Sequence, residues 1–74
     1  LVFYLEKQSK VTVDIIDISG RSIHNTNYGN LLSGQHIYSW NGTNNEGNSL
    51  PSGHYFAIFR AGPEQNVQKL VLLK

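Results

Sequence analysis

The stretch Leu50-Pro51-Ser52-Gly53-His54-Tyr55-Phe56-Ala57-Ile58-Phe59-Arg60 decides how the rest of the chain is read. It opens with a turn: proline in second place pre-sets φ, and glycine in fourth place suits a tight type I reversal. Aromatic and β-branched residues follow, the composition of a strand, and Ala61-Gly62-Pro63 stops it. Side chains along a strand alternate, so Tyr55, Ala57 and Phe59 share one face while Phe56, Ile58 and Arg60 share the other. Apolar residues on both faces predict a central strand with little solvent on either side. The other strands are expected to pair with it or pack over it.

Upstream, Lys10 to Ile18 shows the cleanest alternation, with Val11, Val13 and Ile15 pointing one way and Thr12 and Asp14 the other. Leu1 to Leu5 is a short apolar run that predicts an edge strand, and Glu6 to Ser9 a polar turn. Asp17-Ile18-Ser19-Gly20-Arg21 is a hairpin connection: the carboxylate can accept backbone N–H bonds and Gly20 can take the left-handed conformation. Ser22 to Asn27 returns as a polar strand, with Ile23 its main inward residue, and its polarity predicts a sheet edge. Tyr28 to Gly34 reads as a loop whose Leu31 and Leu32 cover one end of the core. Gln35 to Trp40 is the next strand, with His36, Tyr38 and Trp40 on one face and Ile37 on the other. Trp40 is expected near the edge of the core, its indole N–H on a backbone carbonyl. Asn41 to Ser49 is turn sequence, Gly62 to Asn66 a hairpin loop, and Val67 to Lys74 a last strand with Leu70 and Leu72 on one face. Six or seven short strands and no helix predict a small all-β antiparallel sandwich.

Seventy-four residues make one domain, 1–74, and no cysteine is present to staple it. A chain this short buries only about 60–65% of its unfolded surface, so side-chain packing must supply a small stability margin. The net charge is +1, and Lys7, Lys10, Arg21, Arg60, Lys69 and Lys74 are dispersed, which argues against a nucleic-acid partner. No apolar run approaches the ~20 residues of a transmembrane segment. The N-terminus starts directly in strand-like sequence with no signal peptide, as in a piece of a longer protein.

Candidate chemistry is sparse. His24, His36 and His54 fall on different predicted strands with no clustered carboxylates, so no metal site is expected. The loop Asn41-Gly42-Thr43-Asn44-Asn45-Glu46-Gly47 offers oxygen ligands for Ca²⁺, but Glu46 alone is charged, and a structural turn is the better reading. Asn41-Gly42-Thr43 matches the short glycosylation pattern. No Gly-x-Ser-x-Gly elbow occurs and a sandwich this small offers no catalytic cleft, so no enzyme and no cofactor are expected. Tyr38, Trp40, Tyr55 and Phe59 could stack on a sugar; core packing explains them equally well.

The order of these pieces resembles a known bacterial family, the C-terminal sorting domain of the type IX (Por) secretion system, related to the immunoglobulin-like module of the flagellar hook-capping protein. The matching residues are the Asp17-Ile18-Ser19-Gly20-Arg21 turn, Gly34, Trp40-Asn41-Gly42-Thr43, Gly47, Pro51-Ser52-Gly53-His54-Tyr55-Phe56 and the terminal Lys69-Leu70-Val71-Leu72-Leu73-Lys74. Asn41 departs from the Asp usual in that family and removes a charge from its loop. The resemblance implies an immunoglobulin-like fold and a non-catalytic sorting signal, with Pro51, Gly53, Tyr55, Lys69, Leu70, Val71, Leu72, Leu73 and Lys74 in the recognition motifs. It implies as partners an N-terminal cargo domain, the outer-membrane secretion machinery and a sortase-like peptidase of Bacteroidetes-type bacteria, and a secreted or cell-surface location reached through the periplasm. Alternative readings are an immunoglobulin-like accessory module of a secreted hydrolase, binding carbohydrate or acting as a spacer, or a hook-cap structural module.

Overall fold

Strand β2 (Ser9–Ile16) turns its alternation directly into burial: Val11, Val13 and Ile15 are enclosed, while Thr12, Asp14 and Ile16 face the other way and are half-buried. The computed structural model describes residues 2–73. The other strands are β1 (Val2–Leu5), β3 (Ser22–Leu31), β4 (Gly34–Ile37), β5 (Gly53–Ala61) and β6 (Glu64–Leu72), and no helix occurs among the described residues. All pairs are antiparallel, in a four-stranded sheet ordered β3-β2-β5-β6 and a two-stranded sheet β1-β4. The small sheet and the chain after it pack on the larger one through Phe3 and Tyr38, whose rings meet Phe59 at 5.3 and 5.7 Å. Val13, Ile15, Tyr38, Tyr55 and Ala57 form the core, with Ile23, Trp40, Leu50, Leu70 and Leu72 packed around it. Enclosing a side chain such as Ile15 contributes about 1.5–3 kcal/mol. The fold is the expected all-β antiparallel sandwich, with six strands among the described residues where six or seven were expected.

Strand β5 lies inside the larger sheet, between β2 and β6, but only one of its faces is closed. Tyr55 and Ala57 are buried, whereas Phe56 and Ile58 are half-buried and Arg60 is exposed. The expectation of little solvent on either face is therefore corrected. Two stacked sheets each keep an outer face, and among the described residues no third layer covers this one.

Strand boundaries also differ. Strand β2 ends at Ile16, because Asp17 already belongs to the turn. Tyr28 to Leu31 continue β3 instead of forming a loop: Val11 pairs with Gly29 and Thr12 with Asn27, leaving Tyr28 as the extra residue of a bulge. Gly29 takes φ +67° there, and its N–H donates to Asn27 Oδ1 at 2.9 Å. A second irregularity, between Ile15 and Ile16, frees Ile23 to turn onto the core. Leu32 is exposed and covers nothing. Strand β4 stops at Ile37, opposite Val2, where its described partner strand ends; Tyr38 and Trp40 nonetheless point inward. Finally, Gly62-Pro63 is a two-residue hairpin, so β6 starts at Glu64 and the polar Gln65 and Asn66 belong to the ladder. Gly62, at φ +58°, supplies the positive φ such a turn needs.

Candidate functional site

Two loops at separate points of the chain use one hydrogen-bond pattern. Asp17 Oδ1 accepts from the backbone N–H of Ser19 and Arg21 at 2.9 and 3.0 Å, and from Ser19 Oγ at 2.6 Å. Asn44 Oδ1 accepts from the N–H of Glu46 and Asn48 at 3.0 and 2.9 Å. In each turn the first residue's N–H donates to the carbonyl four residues on, at 3.1 and 3.0 Å, and the fourth residue is a glycine, Gly20 at φ +88° or Gly47 at φ +85°. A side-chain oxygen that gathers backbone donors makes Asp and Asn equivalent here. They differ in charge: the Ser19 hydroxyl first, then the Arg21 N–H, hold the Asp17 carboxyl below its ordinary value.

The asparagine loop spends its oxygens on the protein itself. Asn45 N–H donates to Ile23 O at 3.2 Å and Asn45 Oδ1 accepts from Asn25 N–H at 2.9 Å, which ties the loop to the edge of β3. Thr43 Oγ1 donates to Asn41 Oδ1 at 2.6 Å, and Trp40 Nε1 donates to Thr43 O at 2.9 Å, the carbonyl partner expected for the indole. A structural turn accounts for this loop.

The residues singled out near the C-terminus separate into two groups. Pro51, Tyr55, Leu70 and Leu72 meet at one end of the sandwich: Tyr55 Oη donates to Pro51 O at 2.7 Å, its ring stands edge-on to Trp40 at 5.3 Å, and Leu70 pairs with it across the sheet. Gly53 starts β5 opposite Leu72. A tyrosine at the start of a strand, bonded back to the preceding corner, is a hallmark of immunoglobulin-like sandwiches. The sequence reading missed this corner, although the four-residue spacing from Pro51 to Tyr55 carries it. Lys69 and Val71 lie on the opposite face, across from Phe56 and His54. Leu73 is exposed, and Lys74 lies outside the described residues.

The histidines do not meet. His24 faces inward opposite Ile15, His36 stacks on Phe3 at 5.5 Å with Nε2 2.7 Å from Leu32 O, and His54 is exposed on the outer face. Among the described residues no group of three or more metal-ligating side chains converges. Tyr38 and Tyr55 are buried and Phe59 lies between Phe3 and Tyr38, so these three rings pack the interior, while Trp40 is half-buried against Tyr55. Burial raises the Tyr38 hydroxyl, with the neighbouring Tyr28 adding to it and a bond to Thr26 opposing it; burial alone raises Tyr28. No helix among the described residues is long and apolar enough to cross a membrane.

A groove of about 370 Å³ lies beside β1, bordered by Phe3, Leu5, Phe59, Ala61, Asn66 and Gln68 among others. A second, of about 340 Å³, runs between Tyr38–Trp40 and Leu70–Leu72. Both border β6, because the two-stranded sheet is too narrow to roof the four-stranded one.

The FlgD Ig-like domain family matches residues 2–58. The basal-body rod modification protein FlgD of Salmonella typhimurium is 37% identical over 46 residues, which is 62% of this chain and 20% of that protein, and FlgD of Escherichia coli matches over the same shares. The chain thus spans about a fifth of the length of the curated relatives it matches. The crystal structure of FlgD from P. aeruginosa superposes with a TM-score of 0.74 over 95% of this chain and 54% of that chain; at 24% identity it speaks for the fold. These matches overturn the expected Bacteroidetes-type sorting domain of the type IX system, and with it the secretion machinery, the sortase-like peptidase and the cargo domain as partners. The physical reason lies in the motifs that carried that expectation. The Asp17 turn, the Trp40 indole bond and the Pro51–Tyr55 corner are parts any related sandwich needs in order to fold, and they do not distinguish a sorting signal. The match over residues 2–58, on a two-sheet antiparallel sandwich, makes the chain a member of the FlgD Ig-like domain family.

Proposed function

We propose that this chain is a non-catalytic structural module of flagellar assembly, the immunoglobulin-like part of a FlgD-type hook-cap protein. The observation that carries the reading is the family match over residues 2–58. The local chemistry supports it: Asp17, Asn44 and Tyr55 are spent on closing turns and pinning a corner, which suits a rigid body used for contacts between proteins. An exported polypeptide acting at the cell surface is part of the same proposal, and residues 1–74 form the unit that acts.

The test is a graft. The Ig-like module of Salmonella FlgD is replaced by this chain, and hook assembly and swimming are compared with wild type and with a FlgD lacking the module. Restored hooks are expected. A chimera that accumulates normally, is exported, and yet assembles no better than the module deletion overturns the proposal.

A further inference from the structure

The groove beside β1 has the form of an unfilled strand position. Every residue of β1 borders it, including Val2 and Tyr4 on one side of the strand and Phe3 and Leu5 on the other, while no residue of β4 does. A space touched by consecutive residues of a strand lies along its backbone edge. Among the described residues β1 pairs with β4 alone, so along its other edge every second residue turns an N–H and a C=O toward this space. The floor is the inner face of β5 and β6, where Phe59 and Ala61 give apolar surface and Asn66 and Gln68 give exposed amides. The edges of β3 are treated differently: two register shifts break its ladder and Asn45 closes its start. Strand β1 carries no such device.

We propose that this groove is a strand-addition site, in which an extended segment of a second polypeptide pairs with the free edge of β1 and turns the two-on-four sandwich into three-on-four. It goes beyond the structural role proposed above by naming where a partner attaches and what chemistry it has. The backbone edge selects an extended polypeptide, the one ligand that offers matching donors and acceptors at strand spacing. Four residues of edge set its length at about 13 Å of strand, some four to six residues. The lining sets its composition. Alternate side chains enter toward Phe59 and Ala61 and are apolar. The charged groups bordering the groove are Glu6, Lys7 and Glu64, a net of one negative charge at its rim, so the inserted stretch carries no carboxylate. Asn66 and Gln68 serve as amide partners for polar groups of the inserted strand.

The probe is an acetylated, amidated peptide of alternating valine and threonine with glutamine at each end, titrated into the 74-residue chain and followed by amide NMR. Its control carries N-methyl groups on the backbone nitrogens of one edge, which removes those donors and keeps the side chains. Expected are shifts at the β1 amides and at the side-chain amides of Asn66 and Gln68, with the methylated peptide at least tenfold weaker. Gln68→Trp, on an exposed position, should fill the groove and weaken binding at least tenfold while the spectrum of the core is kept. Equal binding of both peptides, shifts confined to β3 or to the outer face, or no binding at millimolar peptide overturns the proposal. So does concentration-dependent pairing of β1 in the protein alone, which would assign the groove to a second copy. Peptide binding together with a failed graft would leave the groove standing and remove the flagellar reading.

Discussion

Tyr55→Phe isolates one hydroxyl. The ring keeps its edge-on contact with Trp40 at 5.3 Å and its place in the core, and only the 2.7 Å bond to Pro51 O is lost. A net hydrogen bond contributes about 0.5–1.5 kcal/mol, and an acceptor left buried costs about 1–3 kcal/mol. Which range applies depends on whether water reaches the orphaned carbonyl. The bond is part-buried, at an exposed Pro51, so water can reach the oxygen and the lower range holds. The expected loss is about 1 kcal/mol, equivalent to a fall of roughly 4–8 °C in Tm for a domain of this size. Urea unfolding monitored by Trp40 fluorescence should show a lower midpoint at unchanged slope. Tyr4→Phe is the matched control: its hydroxyl donates to Gln35 Oε1 at 3.2 Å on an exposed ring, and its loss should cost under about 0.5 kcal/mol. A Tyr55→Phe protein no less stable than Tyr4→Phe would refute the corner as a source of stability.

The twin turns give a second expectation. Asn44 builds the same turn with an amide, so Asp17→Asn should fold normally at neutral pH. Because the folded-state pKa of Asp17 is depressed below its unfolded value, its contribution is complete above the unfolded value and is lost as pH falls through the folded one. The fall of Tm below about pH 4 should therefore be shallower in Asp17→Asn, and an unchanged acid limb would count against the assignment. Gly42→Ala and Gly47→Ala form a pair: both glycines have positive φ, +78° and +85°, so both variants carry a backbone cost of about 1–2 kcal/mol. At Gly42 the new methyl would also lie 2.9 Å from Leu72 Cδ1, whereas Gly47 has open space, so chemical denaturation should find Gly42→Ala less stable by a further ~1 kcal/mol or more. Ile15→Ala, at a fully enclosed position, should lose about 2–5 kcal/mol, and an exposed-face Val71→Ala well under 1 kcal/mol, by the same assay.

Local chemistry made most strands and turns readable. Val11, Val13 and Ile15 alternate so strictly that their burial follows from period alone, and Asp17 to Arg21 names its own turn through a carboxylate and a glycine in the right places. Trp40 needed a carbonyl for its N–H and found Thr43. Reading failed where a residue's usual meaning was overridden by its partner strand. Gly29 and Asn30 look like a loop until β2 supplies a ladder and turns the glycine into a bulge. Gln65 and Asn66 look like a turn until the two-residue Gly62-Pro63 reversal brings them opposite Arg60 and Phe59. The sorting role failed for another reason: motifs that close turns and pin corners recur wherever the sandwich recurs, so they identify a fold more readily than a partner.

By itself the order of side chains determined that this protein is antiparallel, all-β and built around Tyr55, Ala57 and the β2 valines, because alternation and turn residues act within a few bonds of where they stand. Only the tertiary structure decided which faces and edges stay open. That depends on how many layers and strands come together: with no third layer among the described residues the outer face of β5 stays open, and two strands laid over four leave the second edge of β1 and the floor beside it open, which no local pattern encodes.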